Sequence, residues 1–138
     1  IIEEFGLGYD SIGMSELYLK KLGEGVFPFE MTEKLCEYLH SKYKVDVVTN
    51  GIKEVQHSRI ENSKIAKYID KLVISEEVGV NKPDKKIFEY AMDYFGVLDK
   101  KSVMMVGDSL VADIKGGQNT GIDTCWVNLK NIEKQDII

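Results

Sequence analysis

The sequence predicts an α/β fold, a parallel sheet covered by helices, on three observations. Short apolar runs alternate with helical stretches from Val45 onward. One run, Val103-Met104-Met105-Val106, stops at Gly107 and opens on Asp108, with Asp113 five residues further on. A run of four apolar residues bounded by turn signals reads as a buried parallel strand. Finally, polar groups collect where the strands end, which is where open α/β sheets place their ligands.

The elements follow in order. Residues 1–29 are irregular and punctuated by glycines. Within them residues 15–22 read as a short helix with Leu17, Tyr18 and Leu22 toward one face, ended by Gly23. Thr32 is placed to cap a helix over 33–41, with Leu35, Cys36 and Leu39 inward. Residues 45–48 form a strand candidate running into Thr49-Asn50-Gly51. A helix over 53–63, a strand over 72–75 and a loop over 76–83 come next. Pro83 and Asp84 open a helix over 85–95 that Gly96 ends. The anchor strand 103–106 leads to a helix over 110–119, where Gly116-Gly117 allow close packing. A strand over 124–127 closes the regular part, and the polar tail is expected to be peripheral.

Composition narrows the function. The 138 residues, 43% hydrophobic and 30% charged, are ordinary for a globular protein with a real core. A net charge of −5 leaves no basic footprint, so a nucleic-acid polymer is not an expected partner. No apolar run reaches transmembrane length and no signal peptide is visible, which makes the cytoplasm the expected compartment. Cys36 and Cys125 are expected to be buried thiols in a reducing compartment, without a disulfide. His40, His57, Trp126 and the tyrosines read as surface or packing residues. Glu76-Glu77 reads as a solvated loop, or as help in positioning Lys82.

Three strand ends carry the candidate chemistry. They offer the hydroxyl, amide and backbone N–H groups of Thr49-Asn50-Gly51, then Lys82 ahead of Pro83, then Asp108. Taken singly, each also fits an ordinary turn or a solvated lysine, and Asp108 with Asp113 also fits a turn followed by a helix start. Together they make a neutral donor, a cation and a carboxylate suited to a hard cation. That is the set a phosphoryl group needs.

Their order resembles the haloacid dehalogenase superfamily of phosphohydrolases. The matching segments are Val47-Val48-Thr49-Asn50-Gly51, Asn81-Lys82-Pro83-Asp84 and Gly107-Asp108-Ser109-Leu110-Val111-Ala112-Asp113. The wording of residues 73–84, with Thr124-Cys125-Trp126, is close to the pyrimidine 5′-nucleotidase-like branch. The resemblance implies a Rossmann-like doubly wound core over 27–138, with residues 1–26 as the end of a helical cap. It also implies Thr49 and Lys82 as catalytic, Thr49, Asn50, Gly51 and Lys82 as substrate-binding, and Asp108 and Asp113 at a Mg²⁺ site. Asp113 would act there through water or a hydrogen bond behind the ligands. The implied activity is hydrolysis of a small phosphorylated metabolite through an aspartyl-phosphate. A nucleoside 5′-monophosphate is the first expectation, a sugar phosphate or phosphoglycolate the alternative. Dehalogenation is disfavoured, because Asp108 with Asp113 argues for a metal that dehalogenases do not use.

One departure stands out: no Asp begins an Asp-x-Asp motif anywhere in the sequence, whereas the family's nucleophile is the first Asp of such a motif. The sequence also begins at Ile1-Ile2. It is therefore expected to be the C-terminal part of an enzyme, inactive alone and completed by an N-terminal segment or a second chain. Two rivals come from other classes. A receiver-type phospho-acceptor places its metal-binding acids first and its lysine last, opposite to the order here. A non-catalytic phosphate- or Mg²⁺-binding scaffold would have kept the fold and lost the nucleophile.

Overall fold

The computed structural model describes residues 10–129 and 131. The first nine residues and the tail beyond Asn131 lie outside the described residues. Helices and short strands alternate as the sequence pattern predicts, with β1 (Asp46–Thr49) and β2 (Lys71–Ile74) in one two-stranded sheet. A second two-stranded sheet holds β3 (Met104–Gly107) and β4 (Asp123–Trp126). The chain divides into two compact units. The first holds the residues up to Val47 with Gly51–Ile74, the second Val48–Asn50 with the residues from Ser75 onward.

In the first unit, α1 (Ser11–Glu24) starts earlier and ends later than the sequence pattern indicated. Asp10 caps it, its carboxylate accepting from the Ile12 N–H at 3.1 Å. Gly23 does not end the helix; it is a buried position facing α3 (Lys53–Glu61), where a Cβ would come within 2.9 Å of Ser58 Oγ. Arg59 Nε adds a hydrogen bond to the Leu22 carbonyl at 2.8 Å. In α2 (Thr32–His40), Thr32 is the first helical residue rather than a cap, and Met31 precedes it without a side-chain bond. Leu35 is exposed, against expectation, and Cys36 is only half-buried. Among the described residues of this unit the buried apolar side chains are Val55, Val73 and Ile74.

Asp46 is the electrostatic oddity of that unit. One of its carboxylate oxygens is shielded from solvent and has no hydrogen-bond partner among the described residues. Burial, followed by the neighbouring Asp70 charge, pushes its pKa up to about 6. Asp70 moves the other way: the Lys44 ammonium at 2.8 Å and the Val45 N–H at 2.9 Å hold it below the ordinary carboxylate range. For an acid whose folded pKa is raised, ionisation opposes folding. The cost of Asp46 is therefore absent well below its ordinary value of 3.8, grows as pH rises from there to about 6, and is constant above that. Asp46→Asn is expected to raise the melting temperature by the full amount at pH 8, by less at pH 4.5, and to leave it nearly unchanged at pH 3. After discounting for partial exposure the gain is about 1 kcal/mol. Thermal melts of both proteins across that pH range measure it.

The second unit carries α4 (Ser75–Val78), where the sequence pattern indicated loop, then α5 (Lys85–Tyr94). Asp84 caps α5 by accepting from the Lys86 N–H at 2.9 Å. The helix is amphipathic and buries Ile87, Phe88, Ala91 and Met92. Gly96, in the left-handed region at φ 64°, follows it. β3 and β4 pair in parallel, with Met104 opposite Asp123 and Gly107 opposite Trp126. β3 is not buried on both faces: Met104 and Val106 are exposed and alternate with Met105, the period of two that a strand imposes.

Residues Leu110–Lys115 wind as a π-helix before α6 (Gly116–Thr120). The expected helix over 110–119 is thus two differently wound pieces. Both glycines at their junction are needed for close approach. A Cβ on Gly116 would meet the Phe88 ring at 2.7 Å, and one on Gly117 would meet Thr124 Cγ2 at 2.6 Å. Cys125 on β4 is exposed rather than buried, and both cysteines are free thiols. Among the described residues no helix is long and apolar enough to cross a membrane.

Candidate active site

The second unit gathers Thr49, Asn50, Lys82, Asp108 and Asp113. Lys82 is the hub. Its ammonium donates to the Val48 carbonyl at 2.7 Å and to Asp113 Oδ1 at 2.7 Å. The side chains are nearly enclosed, 10% exposed for Lys82 and 7% for Asp113. An ammonium has three donors. Two are committed here, and the third has no acceptor among the described residues.

The backbone of Lys82 is held as firmly as its head group. The Asn50 amide donates to the Lys82 carbonyl at 3.0 Å and accepts from the Lys82 N–H at 2.8 Å. The Asn50 side chain is therefore a two-point clamp on the lysine's loop, a role that strand-end composition did not signal. Thr49, half-buried at the end of β1, keeps its hydroxyl free of hydrogen bonds among the described residues. Gly51 follows Asn50 in the chain and belongs to the first unit, where a Cβ would meet the Gln56 amide at 2.7 Å.

At the tip of β3 the two aspartates part ways. Asp113 spends both oxygens inside the protein: Oδ1 accepts from Lys82, and Oδ2 accepts from the Ser109 N–H at 3.0 Å. The π-turn makes this possible. The Ser109 carbonyl accepts from the N–H of Asp113 at 2.9 Å and of Ile114 at 3.1 Å, and the Ser109 hydroxyl accepts from the Ala112 N–H at 3.0 Å. Asp108 is exposed, and its carboxylate makes no hydrogen bond or ion pair among the described residues.

A free carboxylate at a strand tip fits Mg²⁺, which takes one or two carboxylates and completes its shell with water and substrate oxygens. Among the described residues no group of three potential ligands forms a closed cage. Asp108 could hold such an ion directly. Asp113 touches the neighbouring peptide through the Ser109 N–H and is itself paired with Lys82.

Gly107 holds the two pieces together. A Cβ there would collide with the carboxylate of Asp113. Gly107→Ala is expected to push Asp113 off Lys82 and Ser109 and to destabilise the protein by about 1–3 kcal/mol. Denaturant melts measure the loss.

Thr49 ends β1 and Asp108 follows β3, the kind of position at which open α/β sheets place their ligands. The chain belongs to the haloacid dehalogenase-like hydrolases, a family that matches residues 11–127. It is 39% identical over 123 residues to the pyrimidine 5′-nucleotidase YjjG of Escherichia coli, covering 89% of this chain and 55% of that protein. It is 38% identical over 99 residues to the pyrimidine 5′-nucleotidase PynA of Streptococcus pneumoniae, covering 72% of this chain and 42% of that one. Its fold superposes on the magnesium-bound HAD-hydrolase YfnB of Bacillus subtilis with a TM-score of 0.80 and 30% identity, over 97% of this chain and 60% of that one. The Rossmann-like α/β core and the pyrimidine-nucleotidase-like branch are therefore shared with known proteins. The chain spans about half the length of these relatives.

Proposed function

We propose that this chain is the lysine- and metal-bearing part of a phosphomonoester hydrolase acting on nucleoside 5′-monophosphates in the cytoplasm, pyrimidine ones first. The observation that carries the reading is the enclosed Lys82, fixed at two points with one N–H to spare. Such a cation can meet a phosphoryl oxygen without reorganising when charge develops. The Thr49 hydroxyl would donate to a second oxygen. Asn50 would keep Lys82 in place, and Gly51 would let the backbone approach the substrate. Asp108 would hold Mg²⁺, with Asp113 behind it, and the ion would neutralise phosphoryl charge when bound. The two domains assigned from the sequence, a cap over 1–26 and a core over 27–138, belong to this reading.

No Asp-x-Asp motif occurs in the sequence. In this reading the nucleophilic carboxylate comes from a segment outside these residues, and the 138-residue chain alone releases no phosphate. The names of the two nucleotidase relatives support the substrate choice.

The test is phosphate release by the intact protein from pyrimidine and purine nucleoside monophosphates, sugar phosphates and phosphoglycolate, with Mg²⁺ or with chelator. Pyrimidine nucleotides should lead, and chelator should abolish release. Faster hydrolysis of a sugar phosphate would move the substrate to the alternative class. Release unaffected by chelator would remove the metal from the account.

A further inference from the structure

We infer that Trp126 is a positioning residue for the metal-binding carboxylate of Asp108, an inference that rests on the metal reading above. Trp126 is the last residue of β4 and the single tryptophan of the sequence. Its indole N–H donates to the backbone carbonyl of Asp108 at 3.0 Å.

The geometry explains why that bond matters. The β3–β4 register ends at the pair Gly107 and Trp126, and the Val127 N–H donates to the Gly107 carbonyl at 2.8 Å. The indole therefore reaches one residue beyond the strand pairing. The carbonyl it grips belongs to the same peptide unit as the Ser109 N–H, which Asp113 Oδ2 accepts at 3.0 Å. One planar peptide is thus held at its C=O end by Trp126 and at its N–H end by Asp113. Fixing that plane restricts the backbone rotation next to the Asp108 Cα, and with it the direction in which the carboxylate leaves the chain. A ligand on an exposed turn otherwise loses conformational freedom when it binds its ion.

Packing alone would be satisfied by a phenylalanine, so Trp126→Phe separates the two roles. It keeps an aromatic ring and removes the donor. In the intact protein, calorimetric titration is expected to show Mg²⁺ binding weakened about three- to tenfold, the loss of one neutral hydrogen bond. The Mg²⁺ concentration for half-maximal turnover should rise by the same factor, excess Mg²⁺ should restore kcat, and KM for the nucleotide should stay in place. Equal Mg²⁺ affinity in wild type and variant overturns the positioning role while leaving the metal reading intact. No Mg²⁺ binding by the wild type, with Asp108→Asn indistinguishable from it, overturns both. If the variant does not fold, the unsubstituted protein labelled with ¹⁵N-tryptophan decides. A Trp126 indole N–H protected from exchange and shifted by Mg²⁺ supports the inference. One that exchanges freely and ignores Mg²⁺ overturns it.

Discussion

Lys82→Ala should lower phosphate release by the intact enzyme about 10²- to 10³-fold, the scale of losing one preorganised electrostatic group at a reacting centre. The same change strikes stability. It leaves Asp113, 7% exposed, with only the Ser109 N–H against its carboxylate. Removing one partner of an enclosed ion pair costs about 3–5 kcal/mol, because the remaining charge stays desolvated. The Val48 carbonyl loses its donor as well. Lys82→Arg is no rescue, since a planar fork does not fit a position holding a compact ammonium between two acceptors 2.7 Å away. Steady-state rates and urea melts on the same variants measure both effects. Unchanged turnover would remove Lys82 from the catalytic account.

Asp113→Ala carries the second large effect, and for a different reason. It frees the Lys82 ammonium from one side and the Ser109 N–H from the other, so the lysine and the turn bearing Asp108 loosen together. A stability loss of about 3–5 kcal/mol is expected here too, with turnover falling at least as far as in the lysine variant. The pair can be separated from the fold by removing both charges. Lys82→Met with Asp113→Leu should recover most of the stability, since replacing an enclosed ion pair with apolar groups of similar volume is often about neutral. Activity should remain lost. A double variant as unstable as either single one would mean that the surrounding hydrogen bonds, not the ion pair, dominate the stability.

Much of this site was legible in the sequence because its residues sit at strand ends. Apolar runs such as Val103-Met104-Met105-Val106 announce strands, and the residues that follow them announce the ligand edge. That logic puts Thr49, Lys82 and Asp108 at strand ends. It could not tell the two aspartates apart. Asp113 turns inward because residues 110–115 wind as a π-helix, and nothing in the pattern of Leu110-Val111-Ala112-Asp113 distinguishes that winding from an α-helix. Nor could it see that the Asn50 side chain grips the Lys82 peptide 32 residues away, because such a bond depends on tertiary approach.

The errors share one cause. Gly23 reads as a helix end from its sequence, but in the fold it is a contact point on Ser58. The apolar pattern puts Leu35, Met104 and Val106 inward, yet all three are exposed. Cysteine burial went the same way. Periodicity tells which residues share a face, but not what that face meets.

In the proposed function, phosphate release depends on a metal held by Asp108. The most direct test is the Mg²⁺ dependence of nucleotide hydrolysis by the intact protein, wild type against Asp108→Asn. The wild type is expected to be activated by Mg²⁺ and to saturate, while Asp108→Asn folds normally, binds Mg²⁺ far more weakly and releases almost no phosphate. An Asp108→Asn protein with the wild-type Mg²⁺ response and rate would contradict it.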